Sequence, residues 1–301
     1  MSGLFVCDKT TMLPVAGILD RSQDNLVTGR GDSMSVTVHP FNAVLNRYGA
    51  LLIQNDGDVK VPLPAAPSAN SRIDVVYVKQ NETRSPMSDS SDDKLFGVAK
   101  GTAAATPVAP DVPDGALALA QVLLPAGVSN TSASGVVITQ TYIGAALKGD
   151  MLRVQTSAQR DALTKVPEGT LLHNVADNCD YVRTPSGKWA KTHDELQFKA
   201  PFTEDKWILR RDWDTVMVTG SMHYQNSTQQ NHTTATEKMP HEWCPALGGL
   251  NPTVISGGSV AAANANWCNF IRPDGTIIML GNTQAVYSGV TGGWRCVNWR
   301  A

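Results

Sequence analysis

The chain has 301 residues, more than one hydrophobic core usually organises, so two or three domains of about 100 residues each are expected. Hydrophobic residues make up 42% and charged residues only 17%, which excludes global disorder and, with plentiful Gly, Pro, Ser, Thr and Asn, points to β-rich, loop-rich architecture. A formal charge of -2 offers no basic footprint for nucleic acid or an anionic membrane surface.

Residues 1–14 lack a charged leader followed by a long apolar core, and no stretch approaches the roughly 18 apolar residues of a membrane span. A soluble protein made in a cytoplasm, without membrane insertion, is the expectation. The five cysteines, Cys7, Cys179, Cys244, Cys268 and Cys296, are odd in number and scattered. That argues against a disulfide framework and for buried free thiols, while permitting one bridge among the last three.

In chain order, residues 33–62 carry short apolar bursts: Val36 and Val38, then Leu51-Leu52-Ile53, then Val59 and Val61. The last two flank Asn55-Asp56-Gly57-Asp58, whose Asp-Gly step predicts a hairpin turn. A Pro/Ala/Ser connector over 62–71 precedes Ile73-Asp-Val-Val-Tyr-Val78, a β-branched run suited to a strand covered on both faces. Residues 81–93 are polar and read as an exposed, mobile loop. A strand is expected near 95–100, an extended connection through Pro107, Pro110 and Pro113, and further strands over 116–124 and 136–138. Residues 144–165 space apolar groups at roughly helical intervals despite Gly149. Their clearest part, Ser157-Ala-Gln-Arg-Asp-Ala-Leu163, predicts a short helix capped by Thr156 or Ser157. Runs at 170–175, 181–183 and 189, separated by turns at 177–178 and 185–187, read as a β-meander.

Two stretches carry a resemblance. Arg72-Ile-Asp-Val-Val-Tyr77, Gly97-Val-Ala-Lys-Gly-Thr102, the Pro-spaced loop, Pro113-Asp-Gly-Ala-Leu-Ala-Leu-Ala120 and Val122-Leu-Leu-Pro-Ala-Gly127 follow one another in fixed order. Residues 72–142 thereby resemble the N-terminal region of tail and baseplate proteins from phages of Gram-positive bacteria. Residues 156–189, through Ala158-Gln-Arg-Asp-Ala-Leu163, Pro167-Glu-Gly-Thr170, Tyr181-Val and Gly187-Lys-Trp189, resemble a linker element of phage tail and fibre proteins. The resemblance implies a virion protein at the tail tip or baseplate, a homotrimer whose attachment module contacts other tail proteins and holds a distal host-recognition domain. It does not extend to residues 1–30 or 200–301.

The last third is built differently. All seven tryptophans lie between Trp189 and Trp299, and charge is scarce beyond Thr215. Strand signals fall at 214–219, 267–272, 276–280 and 295–299, and Pro273-Asp274-Gly275 predicts a hairpin. Such short strands suggest a β-sandwich or jelly-roll head. Saccharide binding needs a flat ring against the apolar sugar face, with amides and hydroxyls for its oxygens. Trp243, Tyr287 and Trp294, beside Gly or Pro or near them, are expected at the surface, with Asn282 and Gln284 as polar partners. Trp267 and Trp299, in strand-like runs, are expected in the core. Core or subunit-interface packing is the competing reading for every one of these rings.

Other chemistry has little support. His232, His241 and Cys244 are close in sequence, with His223 and Cys268 further off, but lack the paired spacing of zinc sites, so no metal and no cofactor are expected. His39 and His173 read as hydrogen-bonded structural residues. No nucleophile elbow, His-Glu-x-x-His pair or phosphate loop occurs. A glycan-cleaving tailspike would need two opposed carboxylates from among Asp205, Asp212, Asp214, Glu237, Glu242 and Asp274. Arg30-Gly31-Asp32 matches an integrin tripeptide of slight functional weight.

The expected organisation is mainly β: an N-terminal attachment module over 1–143, a short helix and meander shoulder over 144–200, and a head over 201–301. The expected activity is non-enzymatic: the head binds a host cell-surface glycan or wall polymer. The alternatives are a purely structural baseplate or fibre component and a tailspike glycan hydrolase.

Overall fold

The computed structural model describes residues 2–19, 25–47, 49–85, 87–223, 228–245, 253–259, 266–283 and 287–296. At 2, 222–223, 228–231, 253–259, 266–267, 281–283, 287–289 and 291 it describes the backbone alone. The mainly β expectation holds: among the described residues the sheets are antiparallel apart from one short parallel pair, and the single α-helix is short. The chain folds as two compact units, Met1–Asn178 and Cys179–Ala301.

In the first unit, β1 (Gly17–Ile18), β2 (Val27–Gly29), β3 (Ser35–Val38), β4 (Phe41–Leu45), β5 (Leu51–Asn55) and β6 (Val59–Pro62) form two three-stranded sheets, β1-β4-β5 and β2-β3-β6. The strands at 51–55 and 59–62 do not pair with each other, contrary to the predicted hairpin. β4 pairs with β5 from Leu45↔Leu51 to Phe41↔Asn55, and β3 pairs with β6 from Val38↔Val59 to Ser35↔Pro62. The two runs are therefore arms of one long bent ribbon that turns at residues 46–50. Between its two ladders, His39 and Pro40 face three residues, 56–58, so the Asp-Gly step marks a bulge at the corner. Pro40 has no N–H to continue a ladder there. Asn55 Nδ2 instead donates to the His39 carbonyl at 3.2 Å and to the Gly57 carbonyl at 2.7 Å. His39 lies 2.8 Å from Asp58 Oδ1 and 2.9 Å from Thr28 Oγ1, the structural role expected of it.

The second layer is a four-stranded sheet, β10-β9-β7-β8, built from β7 (Arg72–Gln80), β8 (Lys94–Ala99), β9 (Leu117–Leu124) and β10 (Val137–Gln140). β7 is central and Val75 to Val78 are buried, as the β-branched run implies. Val36, Val38, Phe41, Leu45, Leu119 and Val122 belong to one core shared with these strands.

One buried ion pair fixes the entry to β7. Arg72 donates from Nε and Nη2 to the two oxygens of Asp74, at 2.8 Å each. Its remaining donors reach the carbonyls of Pro64 and Ala65 at 3.0 Å, and Gly101 N donates to Asp74 Oδ1 at 2.9 Å. A Cβ on Gly101 would lie 2.1 Å from the Ile73 carbonyl oxygen, and one on Gly97 would lie 2.4 Å from the Tyr77 ring. Both glycines are demanded by close approach.

The 81–93 connection is more organised than its composition suggests. Asp89 is ion-paired to Arg47 and to Lys79 (2.9 Å) and accepts from Glu82 N at 2.9 Å. Those partners, Arg47 first, hold its carboxyl well below the usual range. Arg47 belongs to the 46–50 turn of the bent ribbon, a partner that no local reading of the loop supplies.

The helical reading of 144–165 is correct only in its clearest part. β11 (Met151–Val154) pairs in parallel with β12 (Leu171–Asn174), joined through α1 (Ser157–Ala162). Leu152 and Val154 are buried while Met151 and Arg153 are half-exposed, a two-residue period that the longer helical pattern obscured. Thr156 is the cap: its hydroxyl accepts from Gln159 N at 3.2 Å.

In the second unit, β13 (Cys179–Arg183) and β14 (Trp189–Lys191) are the antiparallel end of the predicted meander. β15 (His193–Lys199), β16 (Lys206–Asp212), β17 (Thr215–His223), β18 (Thr228–Lys238), β19 (Thr253–Ser259), β20 (Asn266–Ile271), β21 (Thr276–Thr283) and β22 (Tyr287–Arg295) form one eight-stranded sheet. Its order is β15-β16-β17-β22-β19-β20-β21-β18, and it is not a closed barrel. Lys199 on edge strand β15 reaches Glu237 on the opposite edge strand β18 at 3.5 Å, so the sheet curls strongly. Trp207, Leu209, Val216, Val218, Ile277 and Met279 are fully buried on its inner face. The hairpin at Pro273-Asp-Gly275 forms as predicted: Gly275 has φ +83°, and Asp274 Oδ1 accepts from Thr276 N at 2.9 Å. The strand expected over 295–299 lies largely outside the described residues.

Candidate functional site

Pro240 starts a 3-10 turn, His241–Trp243, that carries the Trp243 ring into the second unit. Trp243 is 3% exposed and Trp294 6% exposed, so two rings expected at the surface are core. Trp294 Nε1 donates to the Trp243 carbonyl at 2.7 Å, a bond that ties β22 to the turn. The buried Arg211 guanidinium lies 5.2 Å from the Trp243 ring centroid, a cation–π contact, and Asp194 Oδ2 is 3.6 Å away. Burial lowers the Arg211 pKa, opposed by the nearby Asp194 charge. Cys296 Sγ donates to the Glu242 carbonyl at 3.0 Å. Cys244, in no disulfide, is pushed up to about 12 by burial and then by its neighbours Cys296, Asp274 and Glu242. A thiol held protonated in this way is a packing group.

The remaining sequence candidates do not join these two rings on a described surface. Tyr287 opens β22 opposite His223, and Asn282 lies on β21 opposite Gln229, with only their backbones described. Gln284 lies outside the described residues, as does Trp299, and the Trp267 side chain is likewise not described.

A different tryptophan is exposed. β16 and β17 are joined by a tight turn in which Asp212 pairs with Thr215 across Trp213 and Asp214. Trp213 has φ +53° and 38% exposure, and its N–H donates to the Thr192 carbonyl at 2.7 Å. Asp212 Oδ1 lies 3.0 Å from His193 Nε2 on one flank. On the other, Arg295 Nε donates to Asp214 Oδ2 at 3.0 Å, and Arg295 beside Asp214 holds that carboxyl below its usual range. Sequence reading passed over Trp213 in favour of rings beside Gly and Pro. The available signal was its place between two aspartates, a turn-forming context.

Four of the six carboxylates considered for glycan cleavage are engaged elsewhere. Asp212 and Asp214 serve the Trp213 turn, Glu237 pairs with Lys199, and Asp274 caps its own hairpin, which lowers its pKa. The shifts of Asp214 and Asp274 are both downward, whereas a general acid needs a raised pKa. Arg30 and Asp32 pair with each other through two hydrogen bonds, at 3.0 and 2.7 Å, so the Arg-Gly-Asp charges answer each other at the surface. Among the described residues no group of three or more His, Cys, Asp and Glu is placed to hold a metal ion. His232 and His241 are exposed on β18 and the 3-10 turn, while Cys244 is buried.

One groove of the first unit, of about 360 Å3, lies among Val6, Cys7, Met12, Lys148, Pro167 and Leu171. Its lining is mostly apolar.

No protein-family model matches the chain, and no curated protein matches it.

Proposed function

We propose that the chain is a non-enzymatic structural protein of a bacteriophage tail tip or baseplate. It acts as a homotrimer that attaches through residues 1–143 to other tail proteins and presents residues 201–301 to a host cell-surface saccharide or wall polymer. One observation carries this reading: the residues behind the resemblance are also those on which the first unit's fold physically depends. Arg72 and Asp74 form the buried bidentate pair, Gly101 donates to that pair, and Gly97 makes room for Tyr77. An order of residues imposed by mutual contact is a module, and chance similarity of composition has no reason to reproduce it.

Host binding rests on position in the chain, low charge and an exposed aromatic ring. Shallow sites repeated by symmetry would gain strength through effective concentration. Immunogold electron microscopy with antibodies against the chain tests the virion assignment, with label confined to the tail tip expected. Label absent from virions of a phage carrying the gene would overturn it. Adhesion of the fluorescent full-length chain to host cells tests the binding role. Adhesion without release of reducing sugar is expected, and sugar release would favour the hydrolase alternative. Absence of adhesion would favour the purely structural one.

A further inference from the structure

We propose that the Trp213 turn is the saccharide-binding platform, with the indole covering the apolar face of an uncharged pyranose and Asp212, Asp214, His193 and Arg295 meeting its hydroxyls. This rests on the reading that the chain binds a host saccharide, and it gives that reading a location.

The backbone is the first reason. Trp213 is the first residue of a two-residue hairpin loop and has φ +53°, where Gly or Asn is the usual occupant and a bulky side chain is strained. A fold that needed only a turn would be served better by glycine. Strain of this kind persists where the surrounding structure over-determines it, and it collects at functional positions.

The second reason is exposure. Trp207, Trp243 and Trp294 are buried, whereas Trp213 leaves 38% of its surface in solvent on a short, doubly anchored loop. The anchors are the Trp213 N–H to Thr192 and the Cys296 N–H to the Asp214 carbonyl, at 2.7 and 2.6 Å. A ring held this way loses little conformational freedom on binding.

The third reason is the chemistry around the ring. His193, Asp212 and Arg295 are largely exposed beside it, giving carboxylate acceptors and guanidinium and imidazole donors on both flanks. The Arg295 guanidinium is already matched by Asp214, and the His193 imidazole faces Asp212, so the site offers no unmatched positive charge. That favours hydroxyl-rich, uncharged sugar over a phosphate-bearing polymer, which would need unpaired cations.

The experiment compares the full-length wild type with Trp213→Gly and Trp213→Phe, using a neutral wall polysaccharide and a phosphate-rich wall polymer purified from cells to which the wild type adheres. Glycine suits the turn, so Trp213→Gly is expected to keep or raise the thermal midpoint while weakening binding about tenfold or more. Trp213→Phe retains a ring and is expected to recover much of that loss. Wild-type binding to the neutral polysaccharide should persist at roughly 0.5 M salt, where surface charge attraction is screened. Wild-type adhesion with undiminished binding by Trp213→Gly overturns the site while leaving the host-binding role standing. Binding to the phosphate-rich polymer alone overturns the ligand class. A wild type that adheres to no cells overturns the host-binding role itself, and the site with it.

Discussion

Both units bury arginine, and Arg72 of the first and Arg211 of the second solve the problem differently. In the first unit Arg72 meets Asp74 through two hydrogen bonds and spends its other donors on carbonyls, so charge answers charge. In the second, Arg211 lies over the Trp243 indole with Asp194 at the edge of contact, so a ring face does much of the work. A buried bidentate pair is intolerant of losing one partner. A cation over an aromatic ring keeps its desolvation cost with a softer reward, and its removal is less damaging.

Asp74→Ala is the sharpest way to expose this difference. It strands a buried guanidinium and is expected to cost the first unit about 3–5 kcal/mol, read as lost hydrogen-exchange protection along β7 and β9. The Arg72→Met/Asp74→Leu double variant should recover most of that loss.

Trp294→Phe removes the indole donor and leaves the Trp243 carbonyl without that bond. A loss of about 1–3 kcal/mol is expected for the second unit by urea denaturation. All seven tryptophans lie in Cys179–Ala301, so their fluorescence follows that unit alone.

Arg211→Met should shift the same transition by no more than about 1 kcal/mol, because a costly buried charge leaves together with its ring contact. A loss as large as that from Asp74→Ala would break the comparison.

The smallest effect expected is on pH dependence. The Asp89 carboxyl is held below its usual range in the folded state, so its contribution is fully present above about pH 4. It is lost as the pH falls through that value toward the depressed folded one. Asp89→Asn should therefore lower the thermal midpoint at neutral pH, with the gap to wild type shrinking as the pH falls below about 4 and closing only below the depressed folded value.

How much of this could be read from the residues depends on how local the deciding contact is. The Pro273-Asp-Gly275 hairpin, the Thr156 cap and the buried β7 run are written within a few residues and were legible. The pairing of residues 33–62 was not, since the Asp-Gly step signals a break in a ladder without saying whether the chain reverses there or bulges. The anchoring of Asp89 depends on Arg47, 42 positions earlier. At the candidate site, the neighbours of Trp243 and Trp294 suggested exposure. Their burial is decided by a hydrogen bond spanning 51 positions and by Arg211 from another strand. Trp213 was passed over: its place between two aspartates marks a turn, but nothing local marks it as the exposed ring, because exposure is what remains after every other strand has taken its place.

The place of β22 matters for synthesis. Tyr287–Arg295 is inserted between β17 and β19, so the middle of the eight-stranded sheet is its last strand to leave the ribosome. Until it emerges, β17 and β19 each hold an unpaired edge open to a neighbouring nascent chain. Assembly of this unit is thus gated by translation of its final strand, and a ribosome paused before Tyr287 exposes the chain when it is most prone to pair with the wrong partner.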